Sequence, residues 1–279
     1  MEASVSTALG LVLVVFLALY AWRLRDYRAD EKAMQRLVST QPHRPARFDP
    51  ARLAGLPAAA QRYFRAAIEP GTPLFTVARI EMRGRFGMGS RERPGYMAMS
   101  ARQVLAAPEG FVWSMSARRG PMIFSGSDSE RWTRFWLMGV LPVARLGGDP
   151  DHARSAFGRY VAEAVFWTPA ALLPGPGVTW EALGQSCARV TVAHGGLSQA
   201  VDVEVDSDGR PCEVRFDRWS NANAERRHRL QPFGGRLSAF RSFDGFCLPT
   251  HVEAGNHFGT PDYFPFFVVD VTRVDFPEP

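Results

Sequence analysis

The feature that most constrains this chain is an uncharged stretch near its start. From Ala3 to Trp22 the sequence contains no Asp, Glu, Lys or Arg, and residues 9–19 are almost wholly aliphatic. As a helix, a stretch of this length spans about 30 Å, the thickness of the hydrocarbon core of a bilayer. Tyr20 and Trp22 lie at its end, where amphipathic rings prefer to sit. Residues 1–25 are therefore predicted to be a transmembrane anchor, and a cleavable signal peptide is disfavoured because Glu2 is the only early charged side chain.

The residues that follow this stretch predict on which side of the membrane the remainder lies. Five basic residues follow it within a short distance and none precedes it: Arg23, Arg25, Arg28, Lys32 and Arg36. Loops rich in Lys and Arg remain on the cytoplasmic side. We therefore expect a single-pass protein of the cell membrane with a cytoplasmic domain, the alternative being a periplasmic or extracellular one.

Composition excludes several classes of protein. With 46% hydrophobic and 22% charged residues in 279, the chain is not a disordered, collagen-like or disulfide-scaffold sequence. Its 33 basic and 28 acidic residues are interspersed, so no nucleic-acid partner is predicted. Cys187, Cys212 and Cys247 stand far apart, which allows either one disulfide or three thiols and gives no metal-ligand spacing. No cofactor is predicted.

Prolines and glycines divide the rest of the chain. Residues 26–52 are predicted to be a juxtamembrane helix and an extended linker, because the prolines between Thr40 and Pro50 disfavour helix. Residues 53–279 are predicted to form a single domain that opens with a short helix. That helix has apolar residues at helical spacing from Leu56 to Ile68, and Pro70 and Gly71 end it.

Most of this domain has the pattern of short strands. Four are predicted first, over Thr76–Met88, Tyr96–Ala107, Gly110–Ala117 and Met122–Leu137. An amphipathic helix follows over Ala153–Val165, and a short second helix carries Leu172 and Leu173. The last strands are Val201–Val205, Glu213–Trp219, Arg236–Phe243, Phe246–Gly255 and Tyr263–Phe276. Because no β-α-β alternation occurs, we expect an α+β fold with a mainly antiparallel sheet and one or two helices covering it.

Common catalytic templates are missing from the sequence. It contains no G-x-S-x-G, no Walker-type loop, no G-x-G-x-x-G and no H-E-x-x-H. His251 and Glu253 share one face of a predicted strand, and Arg159 and Glu163 form an i, i+4 pair on the main helix. No catalytic residue or metal ligand is assigned, and whether the protein is an enzyme stays uncertain, with the balance against it.

One run of residues resembles a known family. Residues 159–173, RYVAEAVFWTPAALL, and the following Val178–Glu181 resemble a bacterial family of unknown function. The likeness extends to Leu56 and Pro57, to Gly110–Trp113 and to the end of the chain from Leu248. No activity is implied by this family. The strand-rich pattern also resembles the half-barrels of lipoprotein carriers, which implies a curved sheet wrapped around an apolar cavity.

These observations favour a membrane-anchored, non-enzymatic module that binds a lipid or another apolar small molecule. The bilayer and that ligand are its expected partners. The predicted ligand-binding residues are Phe111, Trp113, Phe124, Trp132, Phe135, Trp136, Arg159, Tyr160, Glu163 and Trp167. Two alternatives remain open. One is an enzyme for a membrane-derived substrate, in which Glu163, Arg159, His251 and Glu253 converge on one pocket. The other is a scaffold for another membrane protein.

Overall fold

Helices and strands account for most of residues 2–278, which the computed structural model describes. The helices of this part are α1 (Glu2–Val38), α2 (Ala58–Ala67) and α3 (Pro150–Trp167). Its strands are β1 (Ala78–Gly87), β2 (Tyr96–Ala106), β3 (Gly110–Arg119), β4 (Met122–Ser129), β5 (Trp132–Leu137), β6 (Leu141–Gly147), β7 (Val178–Ala182), β8 (Cys187–His194), β9 (Leu197–Val205), β10 (Pro211–Ser220), β11 (Arg229–Phe243), β12 (Phe246–Asn256) and β13 (Phe264–Asp275).

All of these strands belong to one curved antiparallel sheet. Its order is β6-β5-β4-β3-β2-β1-β13-β12-β11-β10-β9-β8-β7, so every strand except β1 and β13 pairs only with its neighbours in sequence. The pairing of β1 with β13 joins the two halves of the chain at the centre of the sheet. The predicted α+β class, with a curved and mainly antiparallel sheet covered by helices, is confirmed.

The sheet contains more strands than the sequence pattern predicts. The segment Met122–Leu137 is not one strand but two, β4 and β5, because the chain turns at Glu130 and Arg131. That turn contains no glycine or proline. Instead, the hydroxyl of Ser129 accepts hydrogen bonds from the backbone N–H groups of Arg131 and Trp132. The prediction also omitted β6, β7 and β8.

Helix α3 lies across the concave face of the sheet. Asp149 caps its start by accepting a 2.8 Å hydrogen bond from the His152 N–H, and Pro150 occupies the first turn. The helix packs closely on β9 and β10 at Gly158, where a Cβ atom would lie 2.7 Å from the Gln199 amide oxygen. Helix α2 packs beside it, and the Tyr63 hydroxyl donates to the carbonyl of residue 165. The main hydrophobic core therefore lies on this concave side.

The C-terminal half of α1 packs on the opposite, convex face. Met34, Leu37 and Val38 are buried there against β2 and β3. Residues 26–38 are thus part of the same helix as the apolar stretch. The helix that begins in that stretch is fixed to the sheet by its other end.

A buried ionic cluster, which we call the α1 cluster, completes this contact. It contains Asp26, Asp30, Arg134, Arg145 and Trp136. One carboxylate oxygen of Asp26 accepts bonds of 2.6 and 2.7 Å from Arg145 and of 2.9 Å from the Trp136 indole. Arg134 donates to Asp30 at 2.5 Å and to Asp26 at 3.3 Å. Because both carboxylates are buried, the guanidinium groups stabilise charges that have lost their water.

The N-terminal half of α1 makes little contact with the rest of the protein. Within the part of the chain that the structure describes, the helix from Ser6 to Val38 is long and apolar enough to cross a membrane, by length and composition. Its most apolar window is entirely unburied. Exposed apolar surfaces of this extent are uncommon in soluble proteins.

Residues 39–49 pass the ends of the two central strands, β1 and β13. Gln41 is only 2% exposed and uses its whole amide group. Its side-chain N–H₂ donates to the carbonyls of Val77 and Pro277, and its oxygen accepts from the N–H groups of Thr76 and Val77. The predicted extended linker is therefore packed against the folded domain at this point.

Candidate ligand cavity

A cavity of about 260 Å³ lies between α3 and the concave face of the sheet. Its walls are mostly aromatic and aliphatic side chains contributed by both halves of the sheet. The aromatic members are Phe86, Trp113, Phe135, Phe166, Trp167, Phe216, Phe233, Phe266 and Phe267. The volume lies close to the lower end, about 300 Å³, of typical small-molecule sites.

Strand alternation decides which side chains reach this cavity. Adjacent residues of a strand point to opposite faces of the sheet. On β4, Asp128 points inward to the cavity, whereas Ser127 points outward and donates to Asp30 of the α1 cluster at 2.8 Å. On β5, Phe135 lines the cavity and the next residue, Trp136, joins the α1 cluster. The cavity and the α1 cluster therefore lie on opposite faces of the sheet.

Arg159 is the central charged group of the cavity wall. Its Nε donates to Glu163 at 2.7 Å, one helical turn further on, and its Nη1 donates to Asp128 at 2.6 Å. The guanidinium carbon lies 4.6 Å from the centre of the Phe111 ring and 5.2 Å from that of Trp113. Arg159 thus connects the helix to β4 through its ion pair with Asp128, whereas its pair with Glu163 lies within the helix.

All four oxygens of the two carboxylates have donors. Besides Arg159, Asp128 accepts from the Thr133 hydroxyl at 2.5 Å and Glu163 accepts from the Gln103 amide at 2.5 Å. Burial acts to lower the pKa of Arg159, but Glu163 and then Asp128 outweigh it and hold that pKa above its usual value. One guanidinium therefore faces two carboxylates in this network, and the other two donors are neutral.

Arg218, on β10, lines the same cavity without such partners. Among residues 2–278 no side chain forms an ion pair or hydrogen bond with its guanidinium, which lies 5.0 Å from the centre of the Phe233 ring. Burial, together with the nearby Arg159 guanidinium, lowers the pKa of Arg218 to about 10. The side chain therefore remains a cation at neutral pH.

The predicted ligand-binding residues fall into three groups. Those that line the cavity are Trp113, Phe135, Arg159, Glu163 and Trp167. Those that belong to the surrounding core on the same face without lining it are Phe111, Phe124 and Tyr160. Trp132 and Trp136 lie on the convex face, where the Trp132 indole donates to Ser127.

His251 and Glu253 do not share a site with Glu163. Val252 and Ala254, their neighbours on β12, line the cavity, so His251 and Glu253 point to the outer face. There His251 pairs with Asp270 at 2.7 Å and lies 3.7 Å from Glu253. The convergence that the enzymatic alternative required is absent, because alternation puts these side chains outside the sheet.

Two residues important to the cavity were not among the predicted site residues. Asp128 and Arg218 lie inside the predicted strands Met122–Leu137 and Glu213–Trp219, and no role was predicted for either residue. Both reach the cavity through strand pairing, which joins residues distant in sequence. The inward alternation of Val214, Phe216 and Arg218 on β10 is the one signal that points to Arg218.

Cysteines and metal ligands contribute nothing further to this site. Cys187, Cys212 and Cys247 are free thiols and partly buried. Burial raises the pKa of Cys187 and of Cys212. Across residues 2–278, no group of three or more His, Cys, Asp or Glu side chains is arranged to hold a metal ion.

The fold and the cavity together define a curved antiparallel-sheet protein with an internal helix over an apolar pocket. The chain belongs to the family of unknown function DUF6544, whose profile matches residues 46–269. The predicted membership of an uncharacterised family is confirmed. A comparison with curated proteins finds no match.

Similar solved structures include two bacterial proteins. A LolA superfamily protein from Nitrosomonas europaea has 12% sequence identity and a TM-score of 0.39, and the match covers 79% of this chain and 92% of that one. A DUF1329 family protein from Desulfovibrio piger has 10% identity and a TM-score of 0.38, over 78% of this chain and 92% of that one. The likeness is one of broad architecture, and no function transfers from these matches.

Proposed function

We propose that this protein is a membrane-anchored module that binds a lipid or another apolar molecule in the cavity beneath α3. The observation that carries the proposal is the cavity itself, nine of whose lining residues are aromatic. Each methylene group that leaves water for such surroundings contributes about 0.8 kcal/mol. A single acyl chain therefore gains enough to offset its loss of freedom.

The proposed anchor is the N-terminal half of α1. Its apolar side chains are exposed, and the α1 cluster attaches the other half of the same helix to the sheet. This continuity supports a retained anchor over a cleaved leader. The basic residues that follow the stretch support a cytoplasmic domain. Protease added to right-side-out membrane vesicles tests this, because a periplasmic domain would be digested.

Native mass spectrometry of the full chain tests the binding function. The protein is purified in a neutral detergent without added lipid, and bound species are then extracted with solvent. We expect a stoichiometric adduct of lipid size on the wild type. Ala162→Phe should abolish it, because this position lines the cavity and the larger ring fills the space.

A matched control uses the same substitution outside the cavity. Ala193 is exposed on β8, so Ala193→Phe should retain the adduct. Thermal unfolding of each variant verifies that the fold is intact. A clean protein mass from folded wild type, with no lipid recovered, would overturn the proposal and favour a scaffold or an enzyme.

A further inference from the structure

The unpaired polar groups of the cavity are all donors. Three lining residues carry a buried side-chain nitrogen without a hydrogen-bond partner: Trp113, Trp167 and Arg218. Within the described chain, no residue that lines the cavity carries a buried unpaired oxygen. The wall therefore lacks acceptors for its own donors.

Arg218 stands out among these groups because it is charged. The carboxylates that share the cavity with it are Asp128 and Glu163, and both are occupied by Arg159 and by neutral donors. Neither carboxylate forms an ion pair or a hydrogen bond with Arg218. These carboxylates act on Arg218 only at a distance, and its buried Nε has no hydrogen-bond partner, so a ligand anion that bonded to the guanidinium directly would add charge-assisted hydrogen bonds.

We propose that the cavity holds an amphiphile with one anionic head group, which pairs with Arg218, and an apolar chain that lies against the aromatic wall. This inference rests on the function proposed above. A planar guanidinium pairs with a carboxylate or a phosphate through two parallel hydrogen bonds. The indole N–H groups of Trp113 and Trp167 lie in the same wall as further donors. A free fatty acid and an anionic phospholipid share this chemistry.

Two ligands that share one alkyl chain but differ in head group distinguish the contribution of the head group from that of the chain. Binding of dodecanoate and of dodecanol to the full-length protein is measured in neutral detergent at pH 7. Partitioning into the detergent is common to wild type and variants, so it cancels when they are compared. Arg218→Met should weaken dodecanoate about tenfold or more while leaving dodecanol within about twofold. Arg218→Lys should restore part of the difference.

The control variant is Arg215→Met on the same strand. Arg215 is exposed on the outer face, so its loss should change neither affinity. Dodecyl phosphate distinguishes the two sources: tighter binding of the phosphate indicates a phospholipid, and tighter binding of the carboxylate a fatty acid. Either result supports an anionic head group.

One outcome would contradict the head-group inference alone, and a different outcome would contradict the proposed function. If wild type binds dodecanol as tightly as dodecanoate and Arg218→Met changes nothing, the head-group inference is overturned and the apolar cavity stands. If wild type binds neither ligand, the proposed function itself fails.

Discussion

Asp128 and Ser127 are adjacent on β4, yet they serve different parts of the molecule. Asp128 joins the charged wall of the cavity, and Ser127 joins the α1 cluster on the other face. One layer of backbone separates the two polar networks. Substitutions in one network should therefore leave the other intact, which makes their effects separable in experiments.

The α1 cluster gives the first prediction at this scale. Asp26→Asn removes the charge that holds Arg145 and weakens the acceptor of the Trp136 indole. Because the guanidinium groups stay largely buried, we expect a loss of about 3 kcal/mol or more in the free energy of unfolding. Urea unfolding of the full chain in neutral detergent, followed by tryptophan fluorescence, measures it.

Glu31→Gln is the matched control for Asp26→Asn. Glu31 lies on the same helix and pairs with Arg102, but both side chains are more exposed. A pair of this kind contributes under about 1 kcal/mol. Equal losses from the two variants would mean that the α1 cluster does not hold the helix.

The sequence predicts part of the cavity at this scale. Arg159 and Glu163 are recognisable because helical spacing puts them one turn apart, and the aromatic residues mark a large apolar interior. Asp128 and Arg218 are brought to the site by strand pairing, which no local pattern encodes. Alternation does separate Phe135 from Trp136, since adjacent residues of a strand cannot face the same side.

At the scale of elements, α1 is one continuous helix whose two halves have different surroundings. Its first half is apolar and exposed, and its second half has one face buried on β2 and β3. The same residue type therefore has different roles along the helix. Leu13 is 58% exposed, whereas Leu37 is 1% exposed.

These two leucines give a matched pair of variants. Leu37→Ala should lower the free energy of unfolding by about 2 to 5 kcal/mol, because it leaves a cavity in a packed cluster. Leu13→Ala should change it by less than about 0.5 kcal/mol, because the side chain contacts no core. The same urea titration compares them. A large effect at Leu13 would show that the apolar half packs on the protein.

Most elements with strong local signals were predicted, although β8 was missed despite the alternation of its buried residues. The helix over Ala153–Val165 has both a cap and an apolar face, and it is confirmed within α3. Strands β6 and β7 lie at the two edges of the sheet and have partly exposed side chains on both faces, so they lack clear alternation. An edge strand forms because its backbone can hydrogen-bond to the unpaired N–H and C=O groups of the adjacent strand. That property belongs to the adjacent strand and is not visible in the sequence of the edge strand.

At the scale of the whole molecule, contacts between α1 and β5 fix the position of the sheet along the axis of α1, and therefore its distance from the proposed membrane span. Asp30 and Asp26 contact Arg134, and Trp22 packs against Trp136 with ring centres 5.5 Å apart. Strand β5 therefore runs toward the N-terminal end of α1. From Trp136 to Met138 the chain advances about 7 Å.

On α1 the same 7 Å corresponds to about four or five residues, which reaches the level of Leu17 and Ala18 in the apolar stretch. Met138 is exposed at the β5–β6 turn, and exposed Met122 lies close to it at the β3–β4 turn. We therefore predict that these turns enter the bilayer interface when α1 spans the membrane.

A polarity-sensitive fluorophore at position 138 tests this depth. In a background with the native cysteines changed to serine, labelled Met138→Cys in lipid vesicles should emit at shorter wavelength and be quenched by nitroxide lipids. Labelled Ser207→Cys, at the exposed β9–β10 turn, is the control and should report water. Matching spectra from the two positions would contradict the proposed depth.

The unbroken helix between Trp22 and Val38 has a consequence for where the proposed ligand can be exchanged. With no hinge between the proposed span and the sheet, the cavity keeps a constant distance from the bilayer and cannot travel to a second membrane. Any molecule that delivers the ligand to this protein or takes it away would have to reach the same region of the bilayer. The protein would then work as a stationary exchange point, and its turnover would be limited by the arrival of other molecules.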